Sequence, residues 1–71
     1  MKDAKYLKYY IPKPGKMPGL QYIIIDEKSE LILSVRKGGK NPKWRKYYAM
    51  DECHKIFNCI EISECEAALL I

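Results

Sequence analysis

No stretch of this 71-residue chain approaches the roughly 18 consecutive apolar residues that a membrane-spanning helix requires. Its first residues, Met1-Lys2-Asp3-Ala4-Lys5, lead into no hydrophobic signal-peptide core. The expectation is a cytoplasmic protein with no membrane role. Cysteines spaced for zinc are also missing. Cys53, Cys59 and Cys65 are an odd set without a Cys-x-x-Cys pair, whereas structural zinc sites are usually built on tight Cys-x₂₋₄-Cys spacing. Three free, core-forming thiols in a reducing compartment, with no metal, are expected.

Catalytic signatures are equally scarce. The one histidine, His54, follows Cys53 directly, and helix neighbours about 100° apart do not face each other, so no thiolate–imidazole pair forms. Gly38-Gly39-Lys40 lacks the first glycine and the hydroxyl of a phosphate-binding loop, and no helix begins there. Asp26, Glu27 and Glu30 crowd one stretch without a third liganding element and read as a solvated turn. A chain of this length makes one domain, residues 1–71, that buries only roughly 60% of its unfolded surface. An enclosed metabolite pocket would take side chains from that thin core. These absences exclude no single reaction, but together they predict a protein that is not an enzyme and holds no cofactor.

What is present is an uneven distribution of charge. Met1 to Met50 carries 12 Lys/Arg against four Asp/Glu, a net of +8, while Asp51 to Ile71 carries Lys55 against five carboxylates, a net of −4. Such asymmetry suggests a basic surface turned to a polyanion. The densest stretch is Arg36 to Tyr48, where Arg36, Lys37, Lys40, Lys43, Arg45 and Lys46 fall within eleven residues. Gly38-Gly39 and Asn41-Pro42 would let its backbone approach another surface closely, and Trp44, Tyr47 and Tyr48 offer flat faces for stacking on bases or sugars. The plainer reading is that the lysines solubilise a hairpin and block edge-to-edge pairing, with the aromatics in the core. The half-chain charge favours nucleic-acid contact through Arg36, Lys37, Lys40, Lys43, Trp44, Arg45, Lys46 and Tyr47.

Periodicity gives the frame. Lys5 to Ile11 reads as an edge strand, although Ala4, Leu7 and Ile11 would also suit one helix face. Three prolines and two Pro-Gly pairs make Pro12 to Gly19 an ordered connection. Leu20 to Asp26 is the clearest strand, with Leu20, Tyr22 and Ile24 facing one way and Ile23 and Ile25 the other. It pairs through a polar turn with Leu31 to Arg36 in a hairpin. Trp44 to Met50 is a further strand whose inward face, Trp44, Lys46, Tyr48 and Met50 or Arg45, Tyr47 and Ala49, stays open. Asp51 caps a helix that buries Cys53, Ile56, Phe57 and Ile60 and ends near 58–60. Ser63 and Glu66 form a capping box for a second short helix that buries Cys65, Ala68 and Leu69. The fold class is therefore α+β: a three- to four-stranded antiparallel meander packed on one face by one or two short C-terminal helices.

The β-β-β-α order over residues 20–60, with Lys-Tyr-Tyr-Ala-Met-Asp-Glu-Cys leading into the helix, resembles the three-stranded DNA-binding arm at the start of some phage and transposon integrases. The likeness lies in element order and not in a motif. It implies a sheet laid into the major groove, bringing Arg36, Arg45 and Lys46 or Tyr47 near DNA. Two function classes follow: a DNA- or RNA-binding module of a virus or mobile element, or an interaction module or small inhibitor. The second would bind an acidic or nucleic-acid-binding protein, or a second copy as a homodimer, through apolar surface at Ile23, Ile25, Leu70 and Ile71.

Overall fold

A computed structural model describes residues 6–70. Its elements are β1 (Leu7–Pro12), β2 (Leu20–Asp26), β3 (Leu31–Arg36), β4 (Arg45–Lys46), α1 (Ala49–Phe57), β5 (Cys59–Ile62) and α2 (Glu64–Leu70). The strands form one antiparallel sheet in the order β4-β3-β2-β1-β5, so the architecture is α+β, with a strand more than the sequence suggests. Among the described residues no helix is long and apolar enough to cross a membrane.

The β2–β3 hairpin forms where the isoleucine run predicts it. Its turn is less solvated than expected: Asp26 is buried, and its Oδ1 accepts the backbone N–H groups of Lys28 and Ser29, both at 3.1 Å. That carboxylate does for the turn what a backbone carbonyl would do, and closes it locally.

Directly opposed residues of an antiparallel pair share a face. Tyr10 opposes Ile23, and Ile25 opposes Ile32, which puts these four on one side of the sheet. Leu20 joins them although it lies three residues before Ile23, because the register slips between Leu20 and Tyr22. This bulge inserts one residue and exchanges faces. The resulting core is Leu20, Ile23, Ile25, Ile32 and Cys59, with Met17, Tyr10, Tyr47 and Ile56 packed against it. Ile23 and Ile32 are fully buried, each stabilising the fold by about 1.5–3 kcal/mol through removal of apolar surface from water. Tyr9, Ile24, Leu33 and Ile62 lie on the other side. There α2 rests against β1, its Ala67 is buried, and the Glu64 charge adds to burial in raising the Tyr9 hydroxyl above its usual value.

Several expectations are corrected. β1 is not an edge strand, because Cys59–Ile62 forms a fifth strand paired from Tyr9↔Ile62 to Pro12↔Cys59. The run from Trp44 shortens to the two residues of β4, and α1 starts at Ala49, with Tyr48 rather than Asp51 at its cap and no side-chain cap bond. The helix is also rotated about its axis. Glu52 is buried and Ile56 half-buried, whereas Cys53 and Phe57 are exposed. The expected cap of α2 is present: Ser63 Oγ accepts the Glu66 N–H at 3.1 Å and its hydroxyl donates to Glu66 Oε1 at 3.3 Å. Here Ala67 is the buried residue, and Cys65, Ala68 and Leu69 are exposed.

Candidate polyanion interface

The rotation of α1 has an electrostatic cause. Glu52 lies under the helix with its side chain 4% exposed, 2.6 Å from Arg45 on β4 and 3.6 Å from Lys55 one turn on. Burial raises its carboxyl, but hydrogen bonding from Arg45 and the charge of Lys55 outweigh burial and hold it below the ordinary carboxylate range. One carboxylate thus ties the two-residue strand to the helix. Arg45 is spent on this pair. The residue that sequence and resemblance both put at a nucleic acid has its guanidinium committed to Glu52, although its side chain stays half exposed.

The remaining loop residues divide. Arg36, Lys37, Lys40 and Lys43 are exposed. Lys46 opposes Leu31 near the start of β3, and its Nζ stands 5.6 Å from the centroid of the Tyr48 ring. Trp44 is half-buried, and Tyr47 packs on the core while its N–H donates to the Glu30 carbonyl at 2.8 Å. The expected aromatic platform on the loop is therefore folded inward in part. Of the proposed partner-binding residues, Ile23 and Ile25 are inside the core and cannot meet a partner. The Leu70 side chain and Ile71 lie outside the described residues.

The fold adds bases that the chain order separates. The connection from β1 to β2 runs beside the end of β3, where Lys37 N–H donates to the Gly19 carbonyl at 3.0 Å. The Lys13 N–H reaches the Asn58 carbonyl after α1 at 2.9 Å. Three adjoining clefts result. Lys13, Lys16 and Lys37 line the first, Arg36 and Lys55 the second, and Arg36 and Lys40 the third. Met17, Pro18 and Leu20 are shared by the first two, and Ser34 by the last two. Among the described residues no carboxylate lines any of the three. The carboxylates Glu27 and Glu30 line a separate depression with Tyr47 and Ala49, toward the start of α1. The helix thus runs from an acidic end of the sheet to a basic one.

An aromatic surface stands at the basic end after all, from a residue the sequence assigns to the core. The Phe57 ring is 77% exposed, with Lys13 Nζ 5.3 Å from its centroid. The helical stripe places Phe57 under the sheet together with Cys53, Ile56 and Ile60, so the apparent period hides its role. Lys13, Lys16 and Lys55 are equally hidden, since the first two sit in the Pro-Gly connection and the third in the helix, both far from the basic loop in the chain.

The thiols separate by burial. Cys59 is buried, which raises its thiol above the usual value against a lowering influence of Lys13, and Cys53 and Cys65 are exposed. Among the described residues no group of three or more His, Cys, Asp or Glu is gathered for a metal. Comparison with protein-family models, with curated proteins and with solved structures finds no match to this chain.

Proposed function

We propose that the chain is a small non-enzymatic nucleic-acid-binding module, of the kind a virus or mobile element carries, which grips phosphates with the basic end of its sheet. The supporting observation is the convergence of six bases from two separate segments and the end of α1 on adjoining clefts free of carboxylates. Lys13, Lys16, Arg36, Lys37, Lys40 and Lys55 are the gripping set, and Lys43 extends it along the loop. A phosphate backbone is the ligand whose charge spacing can occupy several such bases at once. Two exposed free thiols, Cys53 and Cys65, suit a reducing cytoplasmic setting. The test is fluorescence anisotropy with labelled DNA and RNA at 50 and 200 mM salt. With four phosphate contacts, affinity falls about 50-fold for a single strand and about 150-fold for duplex DNA. Absence of binding to either at 50 mM salt refutes the reading.

One observation favours a second reading, an interaction module for a protein or a second copy. Met50 and Phe57, 88% and 77% exposed, share a side of α1 with exposed Cys53. Apolar surface at i, i+3 and i+7 of a helix is the pattern that docks in a groove. Light scattering during size-exclusion chromatography tests the second copy: a Met50→Asp variant that abolishes a dimer supports self-association, and a monomer at high micromolar concentration removes it.

A further inference from the structure

We propose that the cleft between the Met17–Leu20 connection, β3 and the end of α1 takes the base of one unpaired nucleotide, so that the preferred ligand is a single strand. This rests on the nucleic-acid reading and names its ligand class.

The cleft has a volume of about 190 Å³. Sites for drug-sized molecules run roughly from 300 Å³ upward, so this one suits a single ring system and not a whole metabolite. Its wall is apolar, from Met17, Pro18 and Leu20, and its rim carries Arg36, Lys55 and Ser34. An apolar slot edged by two cations and a hydroxyl fits a flat heteroaromatic group with phosphates on either side. A bare inorganic anion would leave the apolar wall unused, and a paired base could not enter.

Met17 gives a further reason. Its φ is +46°, in the left-handed region that a side chain with a Cβ seldom adopts, and it still packs partly against the core. Such conformations cost of order 1–3 kcal/mol and cluster at ligand sites. Holding a methionine there keeps a polarisable thioether on the cleft wall, a group that makes favourable contact with aromatic rings. The exposed Phe57 ring, beside Lys13 of the adjoining cleft, is a stacking surface for a neighbouring base. Bases that stack in this way are read without sequence preference, because each has a π-face.

The experiment measures anisotropy at 50 and 200 mM salt with three probes: a labelled 12-mer single strand, its duplex, and the same strand with internal abasic sites. Two variants go with it. Gly19→Leu adds bulk beside the cleft at a position where a Cβ meets nothing within 4 Å and φ is not left-handed, leaving all bases in place. Met17→Gly removes the apolar wall at a φ that glycine adopts freely. The parent is expected to bind the single strand about tenfold more tightly than the abasic strand, with duplex no better than abasic. Loss of that tenfold difference in either variant, with the salt slope unchanged, supports the cleft. Equal binding of intact and abasic strands, or discrimination that survives in both variants, overturns it and leaves the module reading standing. No binding of any probe overturns both.

Discussion

Replacing Glu52 by Gln or Leu should destabilise the domain, and replacing Arg45 together with it should not. The Glu52 side chain is 4% exposed, and its Oε2 accepts no hydrogen bond in addition to the 3.6 Å contact with Lys55. Removing one partner of a buried pair typically costs about 3–5 kcal/mol, because the other charge is left uncompensated. Here the Arg45 side chain is 47% exposed, so water replaces part of the lost interaction and the expected cost falls to about 2 kcal/mol. For a domain of this size that lowers the midpoint of thermal unfolding by about 8–16 °C, measured by far-ultraviolet circular dichroism. The double variant Arg45→Met/Glu52→Leu should unfold near the parent, since apolar replacement of both partners removes the desolvation cost along with the attraction. The pH dependence has a definite sign. The folded carboxyl titrates below its unfolded value of about 4.3, so its contribution is complete above that pH and is lost as pH falls through the folded value. Glu52→Gln should therefore lose less stability than the parent on acidification. A single variant that melts within 3 °C of the parent, or a double variant that melts far below it, would refute the reasoning.

Three further outcomes follow from local geometry. Under native conditions Ellman's reagent should modify Cys53 and Cys65 quickly and Cys59 only at a rate limited by opening of the fold; three equally fast thiols would contradict the burial of Cys59. Gly38 has φ +72° in the turn where Gly39 N–H donates to the Arg36 carbonyl, so Gly38→Ala should destabilise by about 1 kcal/mol in chemical denaturation. Asp26→Ala removes the acceptor for the Lys28 and Ser29 amides from a buried site and should cost about 1–3 kcal/mol, more than any change at the exposed Glu27.

The parts of the fold legible in the sequence are those whose determinants are local. Three isoleucines and a polar turn specify the β2–β3 hairpin, and Ser63 with Glu66 specifies the start of α2. β5 is hidden because Ile60 extends the apparent helical stripe of α1, and only pairing with β1 decides that Cys59–Ile62 is strand. The rotation of α1 is hidden for a different reason. A stripe argument sends Glu52 to solvent, and nothing near it in the chain reveals that Arg45 arrives from β4 to meet it. The bulge after Leu20 has no marker in the residues around it, yet it puts Leu20 on the core face with Ile23 and Ile25. Of the site, the Arg36–Lys40 stretch was visible as a run of bases. Lys13, Lys16 and Lys55 join it only through the packing of the Pro-Gly connection and the end of α1 against β3.

The claim that the basic end of the sheet is the binding surface, and not simply that the chain is cationic, is tested by moving the same charge change around the molecule. Lys13→Gln/Lys16→Gln/Lys37→Gln empties the first cleft of bases. Lys8→Gln/Lys28→Gln/Lys46→Gln removes as many charges from sites occupied by Glu61, the Tyr6 ring and the Tyr48 ring. Both triple variants have the same net charge, and the measurement is the slope of log affinity against log salt for a single-stranded oligonucleotide. The parent slope should be near −3 for four phosphate contacts. The first variant should fall to about −1 with affinity lost at least tenfold, and the second should keep the parent slope. Equal losses in the two variants, or an unchanged slope in the first, would contradict the account.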